Sequence, residues 1–232
     1  MLVHGAWHGG WCWKWAAQRL GRDGHVVYTP TLTGLGDRAH LARDDIDLTT
    51  HVRDIARLLE YEDLRNVILV GHSYSGLVIT GVAAQAADRL AALVYLDAFL
   101  PSDGDAFIDL AKIPNLPALV HEGLVPPMLT AEQLGLHASP LREWAMERIG
   151  GHPWRCFAQP LHFSTDAVAQ VPLCYVRTSD LLPHEAAKAG SGFLKLDMRP
   201  AGHDVMLTEP DALAELLVAA GTILTQTLDV AR

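Results

Sequence analysis

A chain of 232 residues is long enough for one α/β domain with a full core. Half of its residues are hydrophobic and 19% are charged, which excludes a disordered protein, and a formal charge of -9 argues against nucleic acid or an anionic membrane as partner. The twelve histidines show no HExxH or paired metal spacing, so no metal or cofactor is expected. The three cysteines, Cys12, Cys156 and Cys174, form no CxxC pair and read as thiols in a reducing compartment. No apolar run reaches transmembrane length and no leader is visible, so the cytoplasm is the expected location.

Met1-Leu2-Val3 reads as the end of a strand, and because strands usually need about five residues, a start further upstream is expected. A glycine-rich loop follows over residues 4–11, then a helix over 12–20 closed by Gly21 and Gly24. A strand is predicted over 25–29, a loop over 30–45, and a helix over 48–61 capped by Thr49 or Thr50. Asn66-Val67-Ile68-Leu69-Val70 is apolar and β-branched, as a buried strand should be. The stretch 77–87 is small and helix-compatible, and another strand is expected over 92–95. Beyond Pro101 the prolines at 114, 117, 126, 127, 140, 153 and 160 cut the chain into short pieces, with helical periodicity only locally, as over 141–149. A stretch this long is unlike a bare loop, and it reads as a helical cap over 101–171 inserted into a core of 1–100 and 172–232. Strand character returns over 173–177 and 193–196, and a last helix is expected over 209–225. Strands alternating with helices imply an α/β fold with a mainly parallel sheet wound on both faces, which binds ligands at the carboxyl ends of its strands.

The run Gly71-His72-Ser73-Tyr74-Ser75-Gly76 lies between a predicted strand and a predicted helix. In that context G-x-S-x-G reads as a nucleophile elbow, a tight turn that exposes the Ser73 hydroxyl; the bland alternative is a glycine-rich turn of some other α/β protein. A serine hydroxyl needs a neighbouring base. His203, in Gly202-His203-Asp204 after the last strand, stands where the order nucleophile, acid, histidine requires it. For the acid, Asp180 follows the penultimate strand and is the first choice; Asp97 is its main rival, with Glu185 and Asp197 behind. The backbone amides of Ala6 and Tyr74 are the expected oxyanion donors. Trp7, Trp11, Trp13 and Trp15 read as packing, except that Trp7 adjoins an oxyanion donor and is a candidate substrate contact. Phe107, Leu129, Trp144, Trp154 and Phe163 are candidates to line an apolar pocket.

His4-Gly5-Ala6-Trp7-His8-Gly9-Gly10-Trp11-Cys12-Trp13, Thr31-Leu32-Thr33-Gly34-Leu35-Gly36, the Gly71-to-Gly76 elbow, Tyr95-Leu96-Asp97-Ala98-Phe99-Leu100-Pro101 and Gly202-His203-Asp204 together resemble the bacterial α/β-hydrolase esterases, a group that includes pyrethroid hydrolases. More distantly the chain is similar to plant methyl-ester esterases and hydroxynitrile lyases. The resemblance spans most of the chain except 101–171. It implies a cofactor-free serine esterase with a helical cap, and carries Ser73, His203 and the Ala6 and Tyr74 amides. Two departures stand out: the segment between Asp180 and His203 is shorter than the family's usual spacing, and Ser75 replaces a common glycine. The lyases it resembles use threonine at the Ala6 position and lysine after the catalytic histidine; Ala6 and Asp204 stand there here, which disfavours cyanohydrin cleavage. The expectation is an esterase acting on small, fairly apolar molecules, without nucleic acid or membrane partners and with a homodimer allowed. A slow-turnover receptor on the same fold is the reading from a different class.

Overall fold

Along residues 90–96, Leu93 and Tyr95 point to one apolar cluster and Ala92, Val94 and Leu96 to another, and all five are buried. A strand covered on both faces belongs between two helical layers, the usual setting of a parallel sheet. The computed structural model describes residues 1–182, 188 and 192–230, with side chains through residue 226. Five parallel strands form the central sheet: β1 (Leu2–Val3), β2 (Val67–His72), β3 (Leu90–Leu96), β6 (Leu173–Arg177) and β7 (Phe193–Asp197), in the order β1-β2-β3-β6-β7.

One face is covered by α2 (Leu48–Tyr61) and α3 (Ser75–Ala86), whose Val52, Ile55, Leu59, Leu77, Val78 and Val82 meet Leu69, Leu93, Tyr95 and Tyr175. The other is covered by α1 (Lys14–Arg22) and the C-terminal α11 (Pro210–Val230), whose Ala16, Leu20, Leu213 and Leu217 meet Val70, Val94, Cys174 and Val176. A short α10 (Val205–Thr208) precedes α11. The fold is the expected mainly parallel sheet flanked by helices. Among the described residues, no helix is long and apolar enough to cross a membrane.

Two local expectations are corrected. Residues 25–29 form no strand: β1 offers only two residues to pair with, and among the described residues the backbone link between them is the Leu2 amide to the Tyr28 carbonyl, 2.8 Å. The cap of α2 is Asp47 rather than Thr49 or Thr50. Its carboxylate accepts the Thr50 amide at 2.8 Å, and the Thr50 hydroxyl answers from the third helical position in a capping box.

Between β3 and β6 lie six short helices, α4 (Phe107–Leu110), α5 (Leu116–Leu119), α6 (Ala131–Leu134), α7 (Pro140–Met146), α8 (Arg155–Ala158) and α9 (Thr165–Val168). Two paired strands join them, β4 (Leu124–Val125) and β5 (His152–Pro153), antiparallel with Val125 opposite His152.

Candidate active site

Ser73 follows β2 at a φ of 53°, a left-handed conformation that a side-chain-bearing residue adopts only under constraint. The constraint is visible around it. The Ser73 carbonyl accepts from the amides of Gly76 and Phe99, 3.1 Å each, and the Ser73 amide donates to the Leu96 carbonyl at 3.3 Å. A Cβ on Gly71 would stand 2.7 Å from the Ser75 carbonyl, and one on Gly76 would overlap the Phe99 carbonyl, so both flanking glycines are required for the turn to close.

Asp97 follows β3 and is also left-handed, at φ 42°. Its carboxylate is buried and accepts from three donors: His203 Nδ1 at 2.7 Å, the Ser179 hydroxyl at 2.5 Å and the Thr178 amide at 3.3 Å. Burial alone would raise its pKa, but these donors hold it down at about 2. Because a carboxylate only accepts, His203 carries a proton on Nδ1, which in the neutral tautomer puts the lone pair on Nε2.

The carboxylate expectation is therefore corrected. Asp180 lies 77% exposed and pairs with Arg177 and Arg199 instead of His203. Asp197 likewise spends its carboxylate on Arg199. Glu185 lies outside the described residues. Asp97 succeeds over Asp180 because β3 and β6 are neighbours in the sheet and the turn after β3 aims inward, while Ser179 and Thr178 after β6 supply donors.

His203 follows β7 in the loop Gly202-His203-Asp204 and is buried. Gly202 has a φ of 91° and packs backbone to backbone on Gly135, leaving no room for a side chain. The His203 carbonyl accepts from His72 Nε2 at 3.0 Å, and the two rings lie 4.5 Å apart. Burial first, then the neighbouring His203, push the His72 pKa down to about 3, so His72 is neutral. Among the described residues Ser73 Oγ has no hydrogen bond to His203. Such bonds are often long in resting enzymes and tighten when substrate binds.

The loop after β1 completes the site. His4 is neutral, with its pKa lowered to about 3 mainly by burial; its ring spans Gly5 and Leu32, while its carbonyl accepts the Ser75 hydroxyl. Among the described residues, no acceptor takes the amide of Ala6 or of Tyr74. Trp7, left-handed at φ 65°, is held by the segment between β3 and β6 in three ways. Its carbonyl accepts the Gly150 amide at 3.0 Å, its amide donates to His152 Nδ1 at 3.3 Å, and its indole N–H donates to the Val125 carbonyl at 3.1 Å. Its ring packs edge-on against Phe157, 5.6 Å away. Trp13 is core, whereas Trp11 and Trp15 pack on Trp144 at 5.3 and 4.9 Å. Phe107 packs edge-on to Tyr74 and Phe99 and tilted against Phe157, next to the residue that follows Ser73. Leu129, Trp154 and Phe163 are half-buried against the core clusters.

Two contacts were not foreseen in the sequence, the one made by His72 and the pairing of His8 with Asp204. His72 braces the His203 backbone, and His8 and Asp204, both buried, meet at 3.0 Å through His8 Nε2. Asp204 thus turns toward His8. The described residues also bring together His51, His152 and Cys156, whose nitrogen and sulfur atoms lie within 4.8 Å of one another and could hold a metal ion. His51 Nε2 already meets the Thr33 carbonyl, and the Cys156 thiol lies 3.7 Å from the Ile46 carbonyl.

Known proteins resemble this chain in sequence and fold. The profile of the alpha/beta hydrolase family matches residues 1–216. A carbendazim-hydrolyzing esterase from Nocardioides sp. (strain SG-4G) is 39% identical over 243 residues, covering 95% of this chain and 98% of that protein. A pyrethroid hydrolase from Sphingobium wenxiniae is 34% identical over 106 residues, 45% of this chain and 37% of that one. Among solved structures, an extracellular alpha/beta-hydrolase from a Paenibacillus species superposes with a TM-score of 0.81 over 95% of this chain and 97% of its own, at 23% identity. Matched by the family profile from its first residue and by a relative along nearly its whole length, the chain belongs to the alpha/beta hydrolase family.

Proposed function

We propose that this esterase relative hydrolyses carboxylic esters through an acyl-enzyme on Ser73. The single observation that carries the reading is the buried 2.7 Å bond from His203 Nδ1 to Asp97, set beside a serine in a left-handed elbow. Ser73 Oγ attacks the carbonyl carbon while His203 Nε2 takes its proton. Asp97 stabilises the imidazolium that results, and the Ala6 and Tyr74 amides receive the oxyanion. His203 then returns the proton to the leaving alcohol. In the second half it draws a proton from water, which attacks the acyl-enzyme and frees the acid and Ser73.

The segment 101–171 acts as a cap in this reading, with Trp7 and Phe107 as the apolar contacts beside the elbow. Kinship with a carbendazim-hydrolyzing esterase supports small aromatic carbamates and esters as the substrate class, since a carbamate carbonyl is attacked the same way. Three buried free thiols support a reducing compartment such as the cytoplasm. The test is steady-state hydrolysis of a short-chain p-nitrophenyl ester. Wild type should turn over many times, and Ser73→Ala should lose about a thousandfold or more in kcat. Equal rates in both proteins would reject Ser73 as nucleophile, and a single turnover would favour a receptor.

A further inference from the structure

His8 makes two hydrogen bonds from one buried ring. Nδ1 lies 2.7 Å from the Ala6 carbonyl and Nε2 lies 3.0 Å from Asp204 Oδ2. A carbonyl oxygen can only accept, so Nδ1 carries a proton. One further proton is shared between Nε2 and the carboxylate, and an imidazole is ordinarily the stronger base of the two by more than two pH units. The surroundings agree with a charge on the ring. Trp11 stacks on His8 with centroids 5.4 Å apart and planes 21° from parallel, an arrangement that favours a cation. Asp204 Oδ1 has no hydrogen-bond partner among the described residues, so the bond from His8 is what offsets the burial of this carboxylate.

The two ends of that ring touch the two halves of the site. Ala6 belongs to the loop that offers an oxyanion donor, and Asp204 is the residue after the base His203. We propose that His8 is a positioning residue: as an imidazolium bonded to both Ala6 and Asp204, it holds the oxyanion loop in register with the loop of the base. The inference rests on the Ser73–His203 reading and deepens it.

Loss of the His8 proton removes one of the two bonds and leaves the oxyanion loop tied at one end. The titratable groups around the pair are few. His72 stands edge-on to His8 at 6.3 Å, and His4 also bears on it; His72, His203 and Cys12 bear on Asp204. His4 and His72 are neutral and the Cys12 thiol is pushed up by burial, so Asp204 is the charge that decides the state of His8. Burial alone would lower the His8 pKa, but the Asp204 carboxylate outweighs it and raises the pKa above its usual value. The strut therefore holds while His8 is protonated and Asp204 ionised, and it is lost as pH rises through the raised His8 value.

The test has two arms. In the first, histidine-labelled wild-type protein is observed by 15N NMR, with His8→Gln used to assign the signal. Both ring nitrogens of His8 should be protonated at pH 7, and a neutral ring there overturns the proposal without any reference to activity. In the second, kcat and KM for the p-nitrophenyl ester are followed against pH. Asp204→Asn should lower kcat about tenfold to a hundredfold with KM nearly unchanged, and move the alkaline limb of kcat to lower pH. His8→Gln should lower kcat similarly and abolish that limb. The double variant should be no slower than the worse single variant. An alkaline limb that survives in His8→Gln overturns the proposal, whereas absence of turnover in wild type rejects the underlying Ser73 reading instead.

Discussion

Exchanging the oxygen for an amide at Asp97 isolates the role of the buried carboxylate. Asp97 accepts from three donors: the His203 ring, the Ser179 hydroxyl and the Thr178 amide. Asparagine at that place keeps one acceptor oxygen and turns the other position into a donor. If the oxygen stays with Thr178 Nα and the amide group faces His203, Nδ1 must become the acceptor. The ring proton then moves to Nε2, and the lone pair that would take the Ser73 proton is gone. Loss of the correct tautomer in a serine triad costs about 10⁴ in kcat, which corresponds to about 5 kcal/mol of transition-state stabilisation. Asp180→Asn is the matched control. That carboxylate is 77% exposed and, among the described residues, tied to Arg177 and Arg199, so its loss should change kcat by less than about threefold. The assay is p-nitrophenyl ester hydrolysis at neutral pH on both purified variants, with a thermal melt on each. A thousandfold loss in Asp180→Asn together with a small change in Asp97→Asn would refute the assignment of Asp97.

Three further outcomes are expected. Ser73→Gly should be inactive yet raise stability by about 1 kcal/mol in chemical denaturation, because glycine holds a φ of 53° without strain. Stability should fall by about 2 kcal/mol as pH drops from above the ordinary carboxylate value of 3.8 toward about 2, because Asp97 is held ionised in the folded state and must be protonated as that window is crossed; urea midpoints at a series of acid pH values check it, and the loss should be smaller in Asp97→Asn. His152→Phe removes the acceptor of the Trp7 amide and should lower kcat about tenfold while the melting temperature shifts by only a few degrees, measured by ester hydrolysis and calorimetry.

The strand-and-helix alternation was legible because each element announces itself over several residues: the β-branched run before the elbow, the glycines around Ser73, and the histidine after the last strand. The acid was harder. Asp97 and Asp180 both follow strands, and those strands are neighbours, so order along the chain cannot separate them. What separates them is the direction of one turn, at φ 42°, and the donors Ser179 and Thr178 that meet it from the adjoining strand. Neither is written in a local pattern. The pairing of His8 with Asp204 escaped for a related reason: they are 196 positions apart, and only the folded sheet brings them together. The strand expected over 25–29 failed because local preference cannot form a ladder without a partner of adequate length.

The three hydrogen bonds that seize Trp7 have an evolutionary consequence. Val125, Gly150 and His152 belong to the segment proposed as a cap, yet they also fix the peptide beside Ala6, the proposed oxyanion donor. In that reading, a change there made to reshape the binding surface is felt as a change in rate, so substrate range and catalytic speed are not independently heritable along these two paired strands. Diversification is freer in pieces that make none of these three bonds, such as α5. Laboratory libraries that spare 124–125 and 150–153 and randomise that helix should yield a larger share of active variants than libraries centred on the paired strands β4 and β5.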